Sequence, residues 1–153
     1  MAAFARINAL AACKAAEHGW LGGSFSCCEI MTVLHLRCPD AEHVILSKGH
    51  AAAMQYACMV AAGEMAPEAL LDYKRGAGYP EAHADLLMDT GSLGQCLSTA
   101  AGMAAARPDS RFAVVMGDGE MQEGQVYEAL MTIHKCVDAY SHRRGGCSGV
   151  GCG

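Results

Sequence analysis

The sequence predicts an α/β domain in which a parallel sheet is flanked by helices. Two short apolar segments rich in β-branched residues, 43–47 and 112–116, have the length and composition of buried strands. Alanine-rich stretches of helical length lie around them, and strands separated by helices usually pair in parallel. Of the 153 residues, 52% are hydrophobic but only 6% are aromatic, which suits closely packed helices on a sheet better than an all-β fold.

The first predicted helix spans residues 3–17 and ends in a glycine-rich linker. Its larger apolar side chains recur at helical spacing, so we expect them to form its buried face. That face comprises Phe4, Ile7, Leu10 and Ala11. The linker contains Gly19, Gly22 and Gly23.

A second helix is predicted to begin at Ser26. A serine followed three residues later by a glutamate, here Glu29, is the signature of a capping box, in which the two residues satisfy each other's free backbone amides. Proline cannot continue a helix, so Pro39-Asp40 is expected to end it. The predicted apolar stripe of this helix is Ile30, Val33 and Leu34.

The remaining elements follow from turn signals and periodicity. Pro67 is well placed as the first residue of a helix. The predicted order is a strand at 43–47, a helix at 49–62 ended by Gly63, a helix from Pro67 to about Lys74, an irregular loop at 75–90, a helix at 94–106, a turn at 107–110, a strand at 112–116 and a helix from about Gln122 to Lys135.

The end of the chain differs in composition from the rest. From Tyr140 onward it has no apolar face and is rich in glycine, so residues 137–153 are expected to form a flexible Gly/Cys-rich tail after a domain at 1–136. A zinc site in this region is disfavoured, because the ligand spacings match no compact zinc knuckle. Its ligands would be His134, Cys136, His142, Cys147 and Cys152.

Charge and cysteine usage limit the partners. The net charge is −5 and no basic stripe precedes 142–144, which disfavours nucleic-acid binding. The start of the chain lacks a signal-peptide pattern, and no apolar run approaches the length of a membrane span. Most of the nine cysteines lie in apolar or helical stretches, as expected for small core residues in a reducing cytosol. We therefore expect a cytoplasmic protein with neither nucleic-acid nor membrane partners.

The second predicted strand ends in Gly117-Asp118-Gly119-Glu120. Two glycines around a carboxylate bring bare backbone and one hard oxygen ligand to the edge of a sheet. Such an edge suits a magnesium ion that holds a diphosphate, and the amides of the following helical turn could face the same anion. By itself, Gly-Asp-Gly also fits an ordinary turn.

Four motifs occur in a fixed order along the chain. They are Gly22-Gly23-Ser24-Phe25-Ser26 with Glu29-Ile30, Ile45-Leu46-Ser47-Lys48-Gly49-His50-Ala51, Thr90-Gly91-Ser92-Leu93-Gly94-Gln95, and Gly117-Asp118-Gly119-Glu120-Met121-Gln122-Glu123-Gly124-Gln125. Together they closely resemble the amino-terminal part of transketolases, thiamine-diphosphate enzymes that transfer two-carbon ketol units. The resemblance covers about residues 5–136 and implies an incomplete thiamine-diphosphate-binding fold.

The resemblance also implies roles for individual residues. Asp118 would bind Mg²⁺, and His50 would contact the cofactor diphosphate and the substrate side of the thiazolium. Glu123 would belong to a carboxylate link between paired active sites. The remaining cofactor-binding residues would be Gly91, Ser92, Leu93, Gly117, Gly119 and Glu120. Structural alternatives remain open: a cap or turn for Asp118, a solvated helix start for His50, ordinary core packing for Leu93 and a solvated helix start for Glu123.

The chain departs from the family at two expected histidines. Trp20 occupies the place of a proton-shuttling histidine, with His18 two residues earlier. Tyr79 occupies the second place, with His83 as an alternative match. Because indole cannot shuttle protons, either the two nearby histidines take over or the donor is not an ordinary ketose phosphate. Cys96 stands where a glycine is usual.

A larger departure is the missing completion of the site. The family's second magnesium ligand is an asparagine about thirty residues after Gly-Asp-Gly, but the only asparagine here is Asn8. The pyrimidine-binding domain is also missing. The resemblance thus implies a truncated transketolase-like amino-terminal subunit that uses a small-molecule ketose or 2-oxo donor, with a carboxyl-terminal partner subunit and homo-oligomers expected. The alternative is an inactive truncated homologue or a non-catalytic interaction module.

Overall fold

The structure is a computed structural model that describes residues 1–17, 19–38, 42–68, 70, 87–88 and 90–144, with side chains described as far as residue 134. Its helices are α1 (Ala2–Ala16), α2 (Leu21–Ser26), α3 (Cys28–Arg37), α4 (Ala52–Ala62), α5 (Gln95–Ala106) and α6 (Gly124–Arg144). Its strands are β1 (His43–Leu46) and β2 (Phe112–Val115). Short 3-10 turns at Gly49–Ala51 and Glu120–Gln122 precede α4 and α6.

The two strands pair in parallel, which confirms the predicted α/β class. His43 lies opposite Phe112, and Leu46 lies opposite Val115. Successive side chains of a strand point to opposite faces. Leu46 accordingly joins the large core beneath α1, α3 and α4, whereas Ile45 packs in a smaller cluster with residues of α5. The described part of the sheet is therefore covered by helices on both faces.

The predicted buried face of α1 is wrong. This helix buries its small residues, which are Ala5, Ala9, Ala12, Cys13 and Ala16. The predicted face is exposed instead: Phe4, Ile7 and Leu10 keep 53%, 64% and 49% of their surface, and Ala11 is also exposed. The reason lies in the neighbour, because α1 packs against the alanine-rich α4, and small side chains on both helices let their axes approach closely.

The predicted glycine linker and capping box are also wrong. Gly22 and Gly23 lie inside α2, and Ser26 donates its hydroxyl hydrogen to the Gly23 carbonyl oxygen at 2.9 Å. Cys27, without a side-chain cap, precedes α3. The Glu29 carboxylate instead pairs with the Arg6 guanidinium on α1, with N and O 2.5 Å apart.

The predicted apolar stripe of the second helix is wrong for the same reason as that of α1. Helix α3 buries Cys28, Met31 and Thr32. Ile30 and Val33 keep 55% and 53% of their surface, and Leu34 alone of the three predicted residues packs against the core.

The later elements match their predictions more closely. The strand at 43–47 and the helix from Gly49, ended by Gly63 in a left-handed conformation, are confirmed, as are the small-residue helix α5 and the second strand. The last helix continues to Arg144 rather than ending near Lys135. Pro39-Asp40, most of the predicted helix after Pro67, most of the loop at 75–90 and residues 145–153 lie outside the described residues.

The burial of the cysteines agrees with the sequence analysis for the described residues. The cysteine side chains that the structure describes are free thiols, and five of the six are buried. No helix among the described residues combines the length and apolar character needed to cross a membrane.

Candidate functional site

Two of the four motifs meet at the carboxyl edge of the sheet. The Ser47 amide donates to the Val115 carbonyl oxygen at 2.8 Å, so strand pairing continues one residue beyond β1. A Cβ atom added to Gly117 would lie 3.9 Å from Cβ of Lys48, which places the segments that leave the two strands side by side. Ligands of open α/β sheets bind at this edge.

Asp118 is exposed at this edge and Gly119 beside it borders open space. A Cβ atom added to Gly119 would meet no atom within 4 Å. The described residues contain no group of three potential metal-ligating side chains, so Asp118 would be the single carboxylate of a metal site here. Magnesium is commonly held by one or two carboxylates together with phosphate oxygens and water. This donor set fits magnesium bound through a diphosphate.

Glu120, unlike Asp118, is buried, with only 2% of its surface exposed. Its Oε1 accepts hydrogen bonds from the Gly94 amide at 2.8 Å and from the Ser47 hydroxyl. Its Oε2 accepts from the Gly117 amide at 3.1 Å. Both carboxylate oxygens are thus bonded to the chain's own donors, which leaves the backbone of Glu120 as the part that can face a ligand.

His50 lies half-buried just after β1, and its ring rests on Gly23 of α2. A Cβ atom added to Gly23 would lie 2.4 Å from Cδ2 of the ring and 2.6 Å from Nε2. Burial, and then the positive charge of Lys48, lower the pKa of His50, while Glu120 acts in the opposite direction. The imidazole is therefore neutral near pH 7, when it can accept a hydrogen bond at one nitrogen and donate at the other.

Lys48 was missed by the sequence analysis. Only 8% of its surface is exposed, and its Nζ donates to the Ser26 hydroxyl at 2.9 Å. The ion pairs found among the described residues do not include it. A buried ammonium that has no carboxylate partner in the described part of the chain makes the edge attractive to anions. Its position directly before Gly49-His50 at a strand end was the only signal in the sequence.

The third motif lies beside this edge. Gly91, Ser92 and Leu93 are exposed, and Leu93 keeps 45% of its surface, so it is not an ordinary core residue. The Thr90 hydroxyl is buried and has no hydrogen-bond partner among the residues that the structure describes. Gly94 has a left-handed backbone with φ of 80°, and a Cβ atom there would lie 3.2 Å from Cβ of Glu123.

The other sequence-predicted residues fall outside this cluster or outside the description. Glu123 is exposed just before α6, and its amide donates to the Glu120 carbonyl oxygen at 3.0 Å. Trp20 is exposed before α2. Cys96 is buried, and burial raises the pKa of its thiol. His18, Tyr79 and His83 lie outside the described residues.

Comparison with known proteins gives a consistent result. The family described as "Transketolase, thiamine diphosphate binding domain" matches residues 1–136. The chain is 35% identical over 134 residues to the 6-deoxy-6-sulfo-D-fructose transketolase subunit SqwG of Clostridium sp. (strain MSTE9), with 74% of this chain and 48% of that protein covered. It is 36% identical over 147 residues to human transketolase, with 82% of this chain and 23% of that protein covered.

Human transketolase-like protein 2 is 35% identical over 145 residues, and again 23% of that protein is covered. The chain thus spans less than half of the length of each of these relatives. The region that matches contains all four motifs and both strands of the carboxyl edge. The chain therefore belongs to the transketolase family, within its thiamine-diphosphate-binding amino-terminal domain.

Proposed function

We propose that this chain provides the diphosphate-binding half of a transketolase-type active site and acts in the transfer of a two-carbon ketol unit. The observation that carries the proposal is the carboxyl edge of the sheet. Exposed Asp118 and half-buried His50 follow adjacent parallel strands there, and the buried Lys48 lies beside Gly117. An exposed carboxylate for a metal, bare glycine backbone and an ammonium that pairs with no carboxylate of the described residues are features that suit a magnesium diphosphate.

The residues divide into holding and reacting groups. Asp118 would bind Mg²⁺, the backbone at Gly117 and Gly119 would lie along the diphosphate, and the exposed loop Gly91–Leu93 would lie along the rest of the cofactor. Bound thiamine diphosphate would supply the nucleophilic carbon to which a ketose or 2-oxo donor gives its two-carbon unit. His50 would hydrogen-bond to a substrate hydroxyl through its neutral imidazole, and His18 would take the proton-transfer role that Trp20 cannot fill.

We further propose that the active site is completed by another polypeptide. A relative that this chain matches is itself described as a subunit, and by analogy the pyrimidine-binding half would come from a carboxyl-terminal partner. The surface around Glu123 supports association of two such assemblies, because large apolar side chains in the first turns of α6 and in the 3-10 turn before it are exposed. These are Met121, Tyr127, Leu130 and Met131.

A thermal-shift experiment with thiamine diphosphate and Mg²⁺ tests the proposal. A ligand at one hundred times its Kd stabilises the native state by about 2.7 kcal/mol, which raises the Tm of a domain of this size by roughly 5–10 °C. The Asp118→Ala variant should lose this shift. Glu42→Ala is the matched control, because Glu42 is an exposed carboxylate just before β1, at the other end of the strand.

Two results would count against the proposal. A wild-type chain that shows no shift, even with a carboxyl-terminal partner added, would favour the inactive homologue or the non-catalytic interaction module. A shift that survives in Asp118→Ala, or that persists when Mg²⁺ is removed with a chelator, would contradict the assignment of Asp118 as the metal ligand.

A further inference from the structure

We propose that Glu120 is a positioning residue whose buried carboxylate sets the separation between the loop ending at Gly94 and the strand ends at Ser47 and Gly117. The effect on cofactor binding rests on the proposed function, since the cofactor would lie between this loop and the strand ends. The hydrogen bonds that support the inference all lie within this chain and involve no cofactor.

The geometry of Glu120 begins with a tight turn. The Met121 amide donates to the Gly117 carbonyl oxygen at 3.2 Å, and the Gln122 amide donates to that of Gly119 at 3.1 Å. These bonds turn the chain directly after Asp118 and direct the Glu120 side chain back toward the Gly117 amide. One of its three hydrogen bonds is therefore local, and the other two reach segments far away in the sequence.

The loop depends on this carboxylate for its position. Within the described residues, the hydrogen bond from the Gly94 amide to Glu120 is the only one that joins residues 90–94 to another segment. The left-handed backbone of Gly94 and the 3.2 Å approach of its missing Cβ to Glu123 bring the end of the loop against the start of α6. The position of the exposed residues Gly91–Leu93 therefore depends on a contact made at Gly94.

Cys96, which stands where the resemblance implies a glycine, lies beside this network. Its buried thiol lies near Ser47, whose hydroxyl donates to Glu120. Because the Cys96 side chain is buried, it does not obstruct the exposed edge. A buried carboxylate costs several kcal/mol of desolvation unless its oxygens are bonded, and here both oxygens accept hydrogen bonds, from Ser47, Gly94 and Gly117. Its presence where the loop meets both strand ends indicates that it fixes geometry.

Glu120→Gln is the informative variant, because it keeps the shape of the side chain. Backbone amides face both carboxylate oxygens, so the new NH₂ group must face at least one N–H donor in either orientation. Such a mismatch in a buried site costs about 1–3 kcal/mol. We expect calorimetry with thiamine diphosphate at saturating Mg²⁺ to show about tenfold weaker binding or more. We also expect the Gly94 amide to exchange faster with solvent in the cofactor-free variant, as measured by NMR.

Two further variants separate positioning from general loss of stability. Ser47→Ala removes the side-chain donor but leaves the Gly94 bond, so binding should weaken by less than about threefold. Thr32→Val removes a buried hydroxyl between Cys28 and Cys58 in the main core. It should lower the free energy of unfolding without changing cofactor affinity.

The outcomes separate this inference from the proposed function. A wild-type affinity in Glu120→Gln, or a loss of affinity no larger than that of an equally destabilised Thr32→Val, would overturn the positioning role. An unchanged exchange rate at Gly94 would do the same even if affinity fell. If the wild-type chain binds no cofactor with its partner present, the proposed function fails first, and the role of Glu120 toward the cofactor fails with it.

Discussion

Replacing Gly23 by alanine should displace the His50 ring, whereas the same change at the neighbouring Gly22 should not. Both glycines lie in α2, so both replacements gain up to about 0.5–1 kcal/mol from restricting the unfolded chain. A Cβ atom at Gly22 meets nothing within 4 Å, but one at Gly23 lies 2.4 Å from Cδ2 of His50. The pair is therefore a matched test of one contact.

The size of the effect follows from that distance. Ordinary contact begins near 3.4 Å, so the ring must retreat by about 1 Å. Overpacking of this kind costs about 1–3 kcal/mol. We expect Gly23→Ala to be about 1–3 kcal/mol less stable than Gly22→Ala. A displacement of 1 Å in a reacting group can also lower the rate about 100-fold, so an active assembly should suffer far more than its stability indicates.

Urea denaturation of the two variants measures the difference in stability, and NMR of the His50 ring measures the displacement. A third variant, His50→Ala combined with Gly23→Ala, removes the clash and should recover stability relative to Gly23→Ala in a double-mutant cycle. Equal stabilities of the two glycine variants together with an unchanged ring resonance would refute the proposed contact between the first and second motifs.

Three further predictions concern ionisation and packing. Because the pKa of His50 lies below 6.5, the unfolded chain binds its proton first as pH falls. The free energy of unfolding, measured by urea denaturation, should therefore decrease as the pH falls below about 6.5. The His50→Gln variant should show a weaker dependence of this free energy on pH. Burial raises the pKa of Cys58 to about 12, so mass spectrometry after brief maleimide treatment near neutral pH should find Cys58 unmodified and the partly exposed Cys38 modified. Ala9→Leu should cost about 1–3 kcal/mol by overpacking α1 against α4, whereas Ile7→Ala should change stability by less than about 0.5 kcal/mol.

The contrast between buried Ala9 and exposed Ile7 is a feature of α1 that the sequence alone does not predict. The periodicity of residues 3–17 was enough to predict a helix, because helix formation depends on local spacing and propensity. It was not enough to choose the buried face, since α1 has large apolar residues on one side and small ones on the other. The choice depends on how closely α4 can approach, and that is a property of two helices together.

What the sequence determined by itself is the α/β class, the two strands and the order of four motifs that identifies the family. Those features reside in short stretches, and parallel strands necessarily bring their carboxyl ends to one edge. Only the tertiary structure decided that Glu120 faces inward while Asp118 faces outward, and that Gly23 leaves space for His50. Side chains two residues apart differ in this way because hydrogen-bond donors from distant segments, at Ser47 and Gly94, meet only after the chain has folded.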